Sequence, residues 1–338
     1  MNASRQSFIV SAAICVLLAA LFVARYLVAP WPVEAPSEGG MPLADALTRF
    51  SASMPWIAAA IAGVVALWTL LATVRLTVKY APAGVRNYLP PQLLMIGAAG
   101  VVVSDQPLAA LAAMWLAVLA AGQFVFSFHK WYRFSEVFHA GFYLGLLPLL
   151  YAPAVVLILP VAIAALVIYR RSGREAVVCL AGLALPIPAA GFIHRAMGDP
   201  EGHIYRELWR CTVGDGSRAF GVVEDVMTLP IAAAVVAGGV ATLALVAIAW
   251  TLSHKKSIRK TQYKFVQHSS LALLFAAGTA ALPGSGTTLV PLLAVPCAMC
   301  ATYAFQGRTA GVSTAIYLLT LVAVSALSLL PVLGITIL

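Results

Sequence analysis

Residues that could take part in chemistry gather in two stretches of an otherwise apolar chain. The denser stretch, residues 194–225, offers imidazole, carboxylate and guanidinium groups at His194, Arg195, Asp199, His203, Arg206 and Arg210. Arginine binds phosphate through charge-assisted hydrogen bonds, and a carboxylate or a histidine can transfer a proton. The pattern predicts that these six residues bind an anionic substrate group. The competing interpretation is a solvated loop that contains a short amphipathic helix.

The second stretch, residues 29–53, carries the carboxylates Glu34, Glu38 and Asp45. We consider Glu34 and Asp45 as candidate catalytic bases, with a wet loop as the alternative. Neither stretch has the ligand spacing of a structural or catalytic metal site. The chain also lacks a P-loop, a nucleophile elbow and a dinucleotide-binding fingerprint. We therefore predict no metal and no cofactor.

Composition decides the setting in which these groups must work. Of 338 residues, 62% are hydrophobic and only 10% are charged, whereas a soluble domain carries about 25% charge. Only helices and closed barrels satisfy their backbone groups in lipid, and the Ala/Leu/Val runs do not alternate as barrel strands do. The sequence predicts an all-α, polytopic transmembrane helical bundle. The net charge of +9 then reflects topology rather than a nucleic-acid partner.

Lysine and arginine are sorted to one side of the apolar stretches. The basic segments are about 75–90, 129–136, 170–175 and 253–265. Because positive segments stay in the cytoplasm, residues 29–53 and 194–225 are predicted to be external. The N-terminus is then inside and the C-terminus outside, in a single integral membrane domain spanning residues 1–338.

About eleven membrane segments follow from this pattern. Five are of ordinary length, at about 8–28, 54–74, 176–193, 226–252 and 311–337. Six shorter segments form three pairs: 91–103 with 108–128, 137–151 with 153–169, and 266–282 with 289–305. The shortest reaches only ~20 Å, against a hydrocarbon core of ~30 Å. Each pair therefore either crosses the membrane twice or forms a re-entrant hairpin.

From Asn87 to about Pro188 the chain resembles an uncharacterised family of bacterial multi-pass inner-membrane proteins. The stretches that carry the resemblance are Glu136–Leu146, Tyr151–Pro153, Arg170–Glu175 and Gly182–Pro186. That family has no established function, so the resemblance implies a location and a topology.

A broader resemblance concerns the order of elements in the same region. A Gly-rich short helix, a proline turn, a Leu/Val run, a basic turn and a span ending in proline are similar to the middle of polyprenyl-phosphate-sugar-dependent glycosyltransferases. The resemblance implies a catalytic acidic residue in the first external loop, at the position of Glu34, Glu38 or Asp45. The chain departs from those enzymes in having no paired-acid motif and no large external domain.

Three classes of function remain open. The first is a protein of the bacterial inner membrane that handles a lipid-linked sugar in envelope glycoconjugate assembly, as a glycosyltransferase-like enzyme or as the accessory subunit of an envelope-assembly partner. The second is a transporter of small solutes or lipids, which the Pro/Gly-interrupted hairpins favour. The third is a non-catalytic membrane scaffold. Membrane lipids are partners in all three.

Overall fold

The structure is a computed structural model that describes residues 41–76, 106–129, 134–169, 172–198, 202–212 and 260–279, with four single positions at 292, 295, 296 and 299. Regular structure in these ranges is helical throughout, which confirms the predicted all-α class. The helices are α1 (Pro42–Ser53), α2 (Pro55–Val74), α3 (Pro107–His129), α4 (Phe134–Leu150), α5 (Ala154–Tyr169), α6 (Gly173–Ala184), α7 (Pro186–Ala196), α8 (His203–Thr212) and α9 (Lys260–Thr279).

Among the residues that the structure describes, three helical stretches are long and apolar enough to span a membrane. They are Pro55–Thr73 in α2, Leu108–Ser127 in α3, and Gly173–Ala196, which runs through α6 and α7. The shortest has 19 residues, and at 1.5 Å per residue it is about 29 Å long, close to the ~30 Å hydrocarbon core. Shorter apolar helices are α4, α5 and the Val266–Ala276 part of α9.

Local sequence explains where several helices begin. Pro42, Pro55 and Pro186 each lie in the first turn of a helix. Backbone N–H groups in the first turn make no hydrogen bond within the helix, so proline, which has no N–H, costs nothing there. At the start of α6 the backbone N–H of Ser172 donates a hydrogen bond to Oε2 of Glu175 at 2.6 Å. This is one half of a capping box, and it satisfies a donor that the helix leaves unpaired.

Glycines bring α4 and α6 into backbone contact. A Cβ atom placed on Gly141 would overlap the carbonyl oxygen of Cys179, and one on Gly145 would overlap that of Leu183. In the other direction, a Cβ on Gly182 would overlap the carbonyl oxygen of Phe138. Small residues on both helices permit this approach, as in many membrane helix pairs. α4 also packs against α1, α3, α5 and α7, so it forms the centre of the described bundle.

Helices α2 and α5 each expose apolar side chains. On α2, half or more of the side-chain surface is exposed at Trp56, Ile57, Val64, Leu67, Trp68 and Leu71. On α5 the exposed residues Val156, Leu159, Ile163 and Val167 follow helical spacing along one face. Exposed apolar area costs about 25 cal/mol per Å² in water, so these faces favour a lipid environment.

The structure agrees with part of the predicted segmentation. α4 and α5, joined at Tyr151–Pro153, match the pair predicted at 137–151 and 153–169, and α2 matches the segment at 54–74. α1 and α8 are helices within the stretches 29–53 and 194–225. The predicted segments at 8–28, 91–103, 226–252 and 311–337 lie outside the described residues. The total of eleven segments and the orientation therefore stay predictions.

The last part of the basic segment predicted at about 253–265 lies within α9. Lys264 in this helix is buried, with 6% of its surface exposed. The cytoplasmic position of the segment stays a prediction.

Candidate functional site

The end of α7 and the start of α8 place two histidines side by side. The turn after α7 uses Gly198 at φ 86° and Gly202 at φ 79°, a left-handed backbone conformation that glycine adopts without steric cost. α8 lies close to α7: a Cβ atom placed on Gly191 in α7 would be 3.1 Å from the hydroxyl oxygen of Tyr205 in α8. In this arrangement the ring centroids of His194 and His203 are 6.5 Å apart.

The amphipathic pattern of α8 fixes which side chains face the protein. Ile204 and Leu208 are buried and belong to the same hydrophobic core as Met41 and Ala44, at the start of α1. Two segments that are at least 160 residues apart in sequence thus pack into one core. The opposite face of α8 exposes Tyr205, Arg206, Trp209 and Arg210.

Asp45 is the acidic group at the centre of this region. Its Oδ1 atom is buried and has no hydrogen-bond partner among the residues that the structure describes. Burial raises the pKa of Asp45 above its ordinary value of 3.8, because a charged carboxylate loses hydration. The charges of Arg49, His203 and His194 act in the opposite direction, and that of Glu207 raises the pKa further.

These five residues form what we call the polar cluster: Asp45 and Arg49 on α1, His194 on α7, and His203 and Glu207 on α8. The sequence prediction had selected Asp45, His194 and His203, and the structure brings all three together. Arg49 and Glu207 were missed as site residues. Their spacing could have indicated them, since Asp45 with Arg49 and His203 with Glu207 are each four residues apart and so share a helix face.

The three arginines predicted to bind phosphate lie at the rim of the polar cluster. Arg195 follows His194 in the last turn of α7, and Arg206 and Arg210 lie on the exposed face of α8. Arg210 approaches Glu207 at 3.9 Å, with 67% of its side chain exposed against 14% for Glu207. An exposed ion pair of this kind contributes little to stability. Their role in binding an anion stays a prediction.

Two of the predicted site residues, Glu34 and Asp199, lie outside the described part of the chain. Within that part, no three His, Cys, Asp or Glu side chains are grouped so as to hold a metal ion. The chemistry that the polar cluster can offer is thus proton transfer by a carboxyl group and two imidazoles. The arginine side chains around it can bind an anion.

Comparison of the chain with protein-family models, with curated proteins and with solved structures gives no match. In the part of the chain that the structure describes, the molecule is a helical bundle with three apolar stretches of spanning length and a polar cluster contributed by three helices. The resemblances described from sequence stay predictions.

Proposed function

We propose that this chain is a multi-pass protein of the bacterial inner membrane that binds the anionic headgroup of a lipid-linked sugar at the polar cluster. It would act in envelope glycoconjugate assembly, either by transferring the sugar or by presenting the lipid to a partner enzyme. The observation that carries the proposal is the grouping of Asp45, His194 and His203 beside apolar helices of spanning length.

The position of the polar cluster along the apolar helices supports a headgroup ligand. α1, which carries Asp45, ends just before Pro55, the first residue of the α2 span. His194 stands in the last turn of the span that ends at Ala196. His194 therefore lies at the end of one apolar stretch, where lipid headgroups meet water, and Asp45 lies on the helix that leads into another. Exposed Trp209 and Tyr205 on α8 are residue types that concentrate at that boundary.

The roles follow from the chemistry of each group. Arg195, Arg206 and Arg210 would contact the phosphate oxygens, because guanidinium groups bind phosphate in a bidentate manner. Asp45 would accept a proton from the attacking hydroxyl, with His194 and His203 beside it as a relay. Eleven segments with the N-terminus inside would place the cluster at the outer face, in keeping with the charge sorting of the sequence.

Binding of a polyprenyl phosphate to the protein in nanodiscs tests the proposal. The variant Arg195→Gln/Arg206→Gln/Arg210→Gln should bind at least about tenfold more weakly, since a hydrogen bond from a charged group contributes about 1.5–3 kcal/mol and 1.4 kcal/mol is a factor of ten. The matched control is Arg174→Gln, an exposed arginine at the other end of the α6–α7 stretch, which should bind as wild type does. Equal binding by the triple variant and the control would contradict the proposal.

Topology provides an independent test. Single cysteines at residues 200 and 258 should react with an impermeant thiol reagent from opposite sides of the membrane, residue 200 from outside. If residue 200 reacts from the cytoplasmic side instead, the polar cluster does not lie at the outer face as proposed. Uptake of a labelled solute into proteoliposomes, without polyprenyl phosphate binding, would instead favour a transporter.

A further inference from the structure

A partly open cavity of about 70 Å³ lies between helices, away from the polar cluster. Helices α3, α4, α5 and α9 contribute to its wall, together with Leu292, Val295, Pro296 and Met299. The wall is almost entirely apolar and includes Phe124, Leu147, Leu157 and Ala272. Among the described residues of the wall, the polar side chains are those of His268 and Ser269. None of the five residues of the polar cluster lines this cavity, so it is a separate place in the fold.

His268 is held firmly in the wall of the cavity. Only 5% of its surface is exposed. The ring of Phe124 meets its imidazole edge-on at 5.4 Å, and the ring of Tyr169 does so at 5.7 Å. Edge-to-face contacts of this kind favour one orientation of the ring. The imidazole is therefore preorganised rather than free to rotate toward a different partner.

The Nε2 atom of His268 has no hydrogen-bond partner among the described residues. A buried polar atom in this state is unfavourable, because it has lost its free energy of hydration without gaining a partner. A neutral imidazole nitrogen either donates or accepts one hydrogen bond, according to its tautomer. A ligand that enters the cavity with one suitable oxygen would therefore recover this free energy.

We propose that the cavity binds an uncharged, apolar molecule that carries a single hydroxyl or carbonyl oxygen, and that this oxygen hydrogen-bonds to Nε2 of His268. An ion is disfavoured because the described residues of the wall include no Asp, Glu, Lys or Arg to offset the loss of hydration. A water cluster fits poorly, since roughly five waters would fill the volume and each needs two to four polar partners. A plain hydrocarbon would leave Nε2 without a partner. The proposal does not depend on the headgroup function.

Two sources of such an oxygen are an isoprenoid alcohol and the corresponding aldehyde. The test measures saturable retention of three radiolabelled probes by the protein in nanodiscs, corrected for empty nanodiscs. The probes are a single-unit isoprenoid alcohol, the aldehyde with the same carbon skeleton and the hydrocarbon with that skeleton. Wild type should retain the alcohol or the aldehyde more tightly than the hydrocarbon, and the probe that is preferred identifies the oxygen as hydroxyl or carbonyl.

Two variants separate the cavity from the hydrogen bond. His268→Leu should weaken the preferred probe about 3- to 10-fold and leave the hydrocarbon unchanged, because one neutral hydrogen bond contributes about 0.5–1.5 kcal/mol. Ala272→Phe should abolish retention by filling the cavity. Ala181→Phe is its matched control, since Ala181 is exposed on α6, and it should bind as wild type does.

The proposal is overturned if the three probes bind alike to wild type and His268→Leu, if Ala272→Phe retains the preferred probe, or if no probe binds saturably. Each variant is first checked for a single symmetric peak in size-exclusion chromatography. Should His268→Leu aggregate, the comparison of Ala272→Phe with Ala181→Phe decides the question. Loss of polyprenyl phosphate binding at the polar cluster would leave these outcomes unaffected, so the two proposals fail independently.

Discussion

Replacing Gly141 with alanine should separate α4 from α6. The added methyl group would overlap the backbone carbonyl oxygen of Cys179 and would lie 3.1 Å from the backbone nitrogen of Leu183. Because both contacts are with backbone atoms, no side chain can rotate out of the way. The two helices must move apart by about 1 Å to reach ordinary van der Waals distance.

The magnitude follows from two opposing terms. Overpacking a tight contact costs about 1–3 kcal/mol, whereas alanine in place of glycine in a helix gains about 0.5–1 kcal/mol. We expect Gly141→Ala to lose about 1–2 kcal/mol in the free energy of unfolding. Gly63→Ala is the matched control, because a Cβ on Gly63 in α2 meets nothing within 4 Å. That variant should be slightly more stable than wild type.

Thermal unfolding in one detergent provides the assay. A loss of 1 kcal/mol lowers Tm by about 2–4 °C in chains of 150–250 residues, so Gly141→Ala should unfold several degrees below Gly63→Ala. Gly182→Ala should have a similar effect, and the double variant should lose less than the sum, since the first substitution already parts the same helices. Equal Tm values for Gly141→Ala and Gly63→Ala would refute the proposed backbone contact.

Three further predictions concern the polar cluster and the helix ends. Burial raises the pKa of Asp45, so the folded state holds its proton more tightly than the unfolded state does. The free energy of unfolding should therefore fall as the pH rises from about 4 through the pKa of the folded state, and denaturant titrations should show Asp45→Asn without that fall. Gly198→Ala should lose about 1–2 kcal/mol, since φ is 86° there, whereas Gly173→Ala, at an open position, should be tolerated in the same melting assay. Glu175→Ala should cost about 0.5–1 kcal/mol and speed amide exchange at Ser172, because that N–H loses its 2.6 Å acceptor; unchanged exchange would contradict this.

Apolar length and proline placement predicted a good part of the fold. Pro55 marks the start of α2, and Pro153 lies between α4 and α5, so these boundaries follow from local chemistry. The burial of Lys264 and His268 in α9 does not follow from local chemistry. These two residues, four apart, are polar in sequence but buried by neighbouring helices, and a local pattern carries no information about that burial.

The candidate site shows the same limit. The types of Asp45, His194 and His203 marked them as chemically capable, and the structure places them together. Their proximity depends on Ile204 and Leu208 packing into the core that also holds Met41, which is a contact between distant parts of the chain. His268 lines the partly open cavity and contacts the rings of Phe124 and Tyr169. Both rings come from other helices, so the sequence around His268 could not indicate this position.

The junction of α6 and α7 has a consequence for how the polar cluster could change shape. Leu185 keeps helical dihedral angles, but Pro186 and Pro188 supply no N–H to the carbonyls of Gly182 and Ala184 four residues earlier. The α6–α7 stretch therefore bends most easily at this point, because backbone hydrogen bonds are missing on one side of the helix. His194 lies about 12 Å further along α7, so a bend of about 10° swings it by about 2 Å. Such a hinge would alter the reach between His194 and Asp45 without disturbing the glycine contact that holds α6 to α4.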